Sequence, residues 1–161
     1  MEASNAALSP RFVDGKAMRI VGIRQTHVGS NAGIPAQWLR FAPHIGRVPG
    51  EVDGAAYGVC IDRCSGDGQS FDYIAGVEVA STAAAPEGLS PLSLPARRYA
   101  VFHHPGHVSS LPDTIEAIWR TWLPGSGEQP AGEPAFLERY GEAFDPLTGA
   151  GGMEIWVPLM R

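Results

Sequence analysis

Cysteine is scarce in this chain of 161 residues: only Cys60 and Cys64 occur. Two thiols at that spacing make neither a disulfide framework nor a redox pair. Long apolar runs are missing as well. No stretch approaches the roughly 18 uncharged apolar residues of a membrane span. Met1-Glu2-Ala3-Ser4-Asn5 has neither the basic nor the apolar region of a signal peptide. A cytoplasmic protein with both thiols reduced is expected. Positive charge is also in short supply. Twelve Lys and Arg against 17 Asp and Glu leave a net charge of −5, opposite in sign to the basic face of a nucleic-acid binder and compatible with cationic ligands.

The signatures of common chemistries are lacking too. There is no Gly-x-Ser-x-Gly elbow. Gly66-x-Gly68 lies between two predicted strands, so it fails the context of a phosphate-binding loop. His103, His104 and His107 cluster in sequence, but adjacent strand residues point to opposite faces, so His103 and His104 do not readily share one ion. No metal and no cofactor are expected.

What is present is a repeat. Hydrophobic content of 44% and charged content of 18% are those of a globular chain. Residues 1–16 read as a loose lead-in, and 17–161 as one domain. Its first repeat covers about 17–80, a Pro-rich connector 81–95, and the second repeat about 96–160. Met18 to Thr26 reads as a strand. Ile34, Trp38, Phe41, Ala42 and Ile45 follow at helical spacing, with Pro35 at the helix start. Ala55 to Asp62 and Ser70 to Ala80 read as two further strands joined by a loop around Cys64-Ser65-Gly66-Asp67-Gly68. The pattern then restarts. Arg98 to His104 is a strand, and Leu111, Ile115, Ile118, Trp119 and Trp122 repeat the helical stripe, with 34 matched to 111 and 45 to 122. Pro112 matches Pro35. Ser110 with Asp113 resembles a capping box. Gly76-Val77-Glu78-Val79 matches Gly152-Met153-Glu154-Ile155, and Tyr57-Gly58 has a possible counterpart in Tyr140-Gly141. Phe136-Leu137-Glu138-Arg139-Tyr140 reads locally as a helical turn, but a repeat outranks local propensity and requires a strand there. The fold class expected is α+β: duplicated β-α-β-β units forming one antiparallel sheet with two helices and a central groove.

Alternation then assigns faces. Val77, Val79, Met153, Ile155 and Val157 should meet the helices, while Glu78, Glu154 and Trp156 line the opposite face. An ionised Glu on an otherwise apolar strand is costly unless a cation or a donor meets it. A carboxylate beside an indole suits a lipophilic cation. The bland alternative is a Glu on a solvated sheet face. Glu138 shares a face with Tyr140. Tyr57, Tyr140 and Trp119 are candidate aromatic walls, although aromatics at helical spacing commonly serve the core.

Phe71-Asp72-Tyr73-Ile74-Ala75-Gly76-Val77-Glu78-Val79 resembles a central strand of the GyrI-like, or AraC-type, effector-binding domain. Phe136-Leu137-Glu138-Arg139-Tyr140-Gly141, Phe144-Asp145-Pro146 and Met153-Glu154-Ile155-Trp156-Val157-Pro158 resemble its C-terminal hairpin. The resemblance spans about residues 17–160 and implies a duplicated β-α-β-β fold with a ligand groove. It also implies kinship with multidrug-sensing regulator domains and with stand-alone modulators of DNA gyrase. It places the best-known ligand contact at Glu154 and a second carboxylate at Glu138. The short lead-in holds no helix-turn-helix domain, so a free-standing binder without direct nucleic-acid or membrane contact is expected. The expected ligand is a small, amphipathic and cationic aromatic compound, held by Glu154, Trp156, Tyr140, Glu138, Glu78, Tyr57 and Trp119. Two alternatives stand beside it: a hydrolase of electrophilic small molecules with the same groove carboxylate as general base, and a protein-interaction module such as a DNA gyrase modulator, which an acidic surface would suit.

Overall fold

The computed structural model describes residues 9–28, 32–61, 70–80, 83–132, 134–145 and 148–160. The expected loop around Cys64 lies outside them. The elements in chain order are β1 (Arg11–Gly15), β2 (Met18–His27), α1 (Ile34–Phe41), β3 (Glu51–Cys60), β4 (Phe71–Val79), β5 (Ser90–Leu94), β6 (Arg97–His104) and α2 (Leu111–Ala117). A π-helical turn (Ile118–Trp122), a short α3 (Leu123–Ser126), β7 (Phe136–Gly141) and β8 (Met153–Leu159) complete them. Phe136–Gly141 is a strand, as the repeat demands.

The eight strands form one antiparallel sheet in the order β1-β6-β8-β7-β3-β4-β2-β5. The repeats contribute β2-β4-β3 and β6-β8-β7, and they meet where β3 pairs with β7 around Val59↔Leu137. Two segments differ from the sequence reading. Residues 11–15 of the supposed lead-in pair with β6, and residues 90–94 of the supposed connector pair with β2. Each repeat therefore lends a short strand to the edge of the other. Both are five residues long and polar in part, and Pro91 in β5 is tolerated because an edge strand has one unpaired side.

Both sheet faces are buried, by different means. Val77, Val79, Ile155 and Val157 join Phe41, Leu111 and Ile118 in the core under the helices. On the other face Ile20, Val59, Ile74, Tyr99, Val101 and Leu137 form a second cluster, with Val13 of β1 and Leu92 of β5 packed against it. The sheet is curled into a half-barrel, so that face shields itself without a helix.

Each helix is pinned to its sheet by a polar residue in its first turns. Gln37 is fully buried. Its Nε2 donates to the carbonyls of Ile23 and Tyr73 at 2.7 and 2.8 Å, and its Oε1 lies 2.6 Å from His27 Nε2. In the second repeat Thr114 Oγ1 lies 2.8 Å from His104 Nδ1, while His104 Nε2 donates to the carbonyl of His107. His27 and His104 are thus equivalent, as are Gln37 and Thr114. The expected capping box is not formed: Ser110 Oγ bonds the His107 carbonyl instead, because a 3-10 turn, Val108–Ser110, leads into α2. The first helical stripe is also displaced. Ile45 is exposed beyond the end of α1, and Gln37 takes a core position.

Candidate functional site

A cavity of about 700 Å³ opens on the helix side of the sheet, between the starts of α1 and α2. Ile34 and Pro35 line it from one repeat, and Leu111, Pro112 and Ile115 from the other. Phe71, Tyr73, Phe136 and Tyr140 add aromatic walls, and Glu138 and Glu116 add carboxylates. No Lys, Arg or His is among its described lining residues.

Glu138 is only 8% exposed. Tyr73 Oη donates to its Oε1 at 2.6 Å and Tyr140 Oη donates to the same oxygen at 2.8 Å. Trp38 Nε1 donates in turn to Tyr73 Oη at 3.1 Å. Among the described residues no hydrogen bond falls on Oε2, which leaves that oxygen for a ligand. Burial raises the carboxyl above its ordinary value, and the two phenol bonds pull partly back. Burial also holds both phenols well above their usual range, so they remain donors.

The site depends on a missing side chain. Gly58 pairs across the sheet with Glu138. A Cβ there would lie 1.9 Å from Tyr73 Oη and 2.7 Å from Glu138 Oε1. Only glycine lets the phenol and the carboxylate close over β3.

The seven residues singled out from sequence divide between the two faces. Glu138 and Tyr140 lie in the helix-side cavity. Trp119 is half-buried behind its wall, edge-on to Phe136 at 5.6 Å. Glu154, Trp156, Glu78 and Tyr57 lie together on the opposite face, around a smaller cavity of about 330 Å³. The register requires this split: Glu138 pairs with Ile155 and Arg139 with Glu154, and cross-strand partners share a face. Tyr57 and Tyr140 are therefore not equivalent, since Tyr140 pairs with Ala56 and Tyr57 with Arg139.

Glu154 has protein partners. Arg11 Nη2 lies 3.0 Å from Oε2, Trp156 Nε1 donates to Oε1 at 3.0 Å, and Arg139 Nη1 stands 3.8 Å away. Arg11 belongs to β1, the strand read from sequence as a loose lead-in, so its pairing with Glu154 was not foreseeable. Gln37, Gly58 and Tyr73 were missed as supports of the site. Tyr73 carried a usable signal, since it shares a strand face with Val77 and Val79.

Comparison with known proteins agrees with this architecture. The family model for the GyrI-like small molecule binding domain matches residues 8–160. The transcriptional regulator BrlR of Pseudomonas aeruginosa is 31% identical over 153 residues, covering 92% of this chain and 54% of BrlR. The chain thus spans about half the length of that relative. Among solved structures, SAV2435 bound to tetraphenylphosphonium superposes with a TM-score of 0.75 at 20% identity, covering 94% of both chains. The C-terminal domain of EcmrR superposes with a TM-score of 0.70 at 14% identity, covering 95% of this chain and 98% of that one.

Proposed function

The chain belongs to the GyrI-like small-molecule binding domain family, and from that premise we propose that it binds an amphipathic aromatic cation in the cavity between α1 and α2, with Glu138 as the counter-charge. The observation that carries this reading is a buried carboxylate at the floor of an aromatic cavity whose described lining contains no cationic side chain. An anion entering would meet Glu138 without compensation, whereas a lipophilic cation gains charge and π contacts together. Apolar burial supplies most of the affinity, at roughly 25 cal/mol per Å², and the carboxylate supplies selectivity by sign. SAV2435, of similar fold, has been captured with such a cation.

On this reading the counter-charge is Glu138 rather than Glu154. Glu154 lies on the other sheet face and is met by Arg11 and Trp156. The test is a calorimetric titration with tetraphenylphosphonium and with the neutral triphenylphosphine oxide. Glu138→Gln should weaken the cation by about tenfold or more, as loss of a desolvated charge pair requires, and should leave the neutral compound nearly unchanged. Equal losses for both, or a comparable loss for Glu154→Gln, would overturn the assignment.

A second reading rests on the same group. A carboxylate whose basicity burial raises is suited to act as a general base toward water, with two phenols holding it in place. Incubation with a bound electrophile, followed by mass spectrometry for the addition of one water, checks it. An unchanged ligand mass at long times leaves binding alone.

A further inference from the structure

We propose that the cavity on the sheet face away from the helices is a second ligand site, and that it takes a compact zwitterion bearing a carboxylate and an ammonium group. This proposal does not rest on the reading of the helix-side cavity. The two cavities are back to back: along β3 and β7, Gly58 and Glu138 serve one, and Tyr57 and Arg139 serve the other.

The ligand class follows from which polar groups are satisfied. Glu154 is, by Arg11 and Trp156. Tyr57 is not. It is only 5% exposed, and its oxygen accepts from Arg139 Nε at 3.3 Å. Its own O–H finds no acceptor among the described residues. Arg139 spends Nε on Tyr57 and holds Glu154 only at 3.8 Å, so its terminal fork makes no hydrogen bond among the described residues. Glu78, also in the lining, has no donor or cation within bonding distance among them. A buried donor without an acceptor costs free energy that a bound oxygen recovers.

The missing complement is therefore an anionic oxygen pair for Tyr57 and Arg139, in the forked geometry that Arg favours, plus a cationic donor for Glu78. A simple anion would face Glu78 and Glu154, and a simple cation would face Arg11, Lys16 and Arg139. A zwitterion meets both sets with matching charge. The volume of about 330 Å³ admits on the order of ten non-hydrogen atoms, taking roughly 30 Å³ for a water-sized group.

The Trp156 indole is a built-in reporter, because its N–H lies in this cavity. The experiment is a ¹⁵N–¹H correlation titration with glycine, β-alanine and 4-aminobutyrate, whose charges stand progressively further apart. Acetate and methylammonium carry one charge each. At least one zwitterion should shift the Trp156 indole at concentrations where neither single-charge probe does, with the Trp38 and Trp119 indoles unmoved. Tyr57→Phe and Glu78→Gln should each weaken that response about tenfold or more. Glu78→Gln alters a partly exposed side chain, so it reports even if Tyr57→Phe does not fold. The proposal is overturned if no zwitterion moves the indole up to about 50 mM, a generous limit for a specific site. It is equally overturned if acetate acts as strongly as the zwitterions and Glu78→Gln changes nothing.

Discussion

Glu138 is a carboxyl that the fold partly withdraws from water, and this has a definite pH signature. Burial raises its pKa above the ordinary 4.5. Well below that value both folded and unfolded chains hold the proton, and the group has no net effect. As pH rises from about 4.5 through the folded value, the unfolded chain loses the proton first, so this group progressively lowers stability. A cation in the cavity favours the ionised form, so its affinity should rise through the same window. Thermal melts and cation titrations carried upward from about pH 4.5 should show both trends, and Glu138→Gln should flatten both. Gly58→Ala should act on the same cluster from beneath. Its Cβ would displace Tyr73 Oη and Glu138 together, at a cost of about 1–3 kcal/mol in denaturant unfolding and with weaker cation binding. If Gly58→Ala leaves both quantities unchanged, the tight approach is not what holds the carboxylate.

The second helical segment carries a π turn for a reason that lies in its own sequence. Leu123 N–H reaches the carbonyl of Ile118, five residues back. Pro124 follows, with no N–H to give and a ring that would press on the carbonyl of Arg120. Widening the turn relieves that clash. It also sets Trp122 edge-on to Phe102 at 5.0 Å and near Phe12 of β1 at 6.4 Å. Replacing proline inside a helix usually stabilises, but Pro124→Ala should lower the melting temperature here, because a regular helix would rotate Trp122 off those rings. Near-ultraviolet circular dichroism would register the lost packing. In the first repeat, Gln37→Leu would keep the volume and remove three polar contacts, to Ile23, Tyr73 and His27. A loss of about 2–4 kcal/mol is expected, measured by denaturant unfolding. A neutral result would mean that α1 is held by apolar packing alone.

At the scale of the molecule, the two repeats cannot be separate folding units. They share the β3–β7 seam and exchange their short edge strands. Unfolding should be a single transition with coincident secondary- and tertiary-structure probes, and neither half expressed alone should show one. Much of this architecture was legible in the chain. The match of residue 34 to 111, the paired prolines and the two Gly-x-Glu-x strands placed the repeats. The alternation of Val77, Val79, Ile155 and Val157 told which side meets the helices, because side-chain period and hydrophobic burial are local properties. The edge strands were not legible, since five partly polar residues carry too little periodic signal and gain their partners only from the other repeat. Nor was the division of the site residues. Glu138 and Glu154 are both carboxylates on apolar strands, and sequence alone cannot say which meets an arginine. That depends on β1 delivering Arg11 across 143 positions to Glu154, and on the register that sets Arg139 opposite Glu154 while Glu138 turns to the helices. Sequence by itself determined the duplicated α+β frame, which rests on local patterns repeated twice, and pointed to the small-molecule class through the resemblance of its strand motifs to the GyrI-like family. Only the tertiary structure decided which carboxylate has no cationic partner among the described residues, because charge compensation is a contact between residues far apart in the chain.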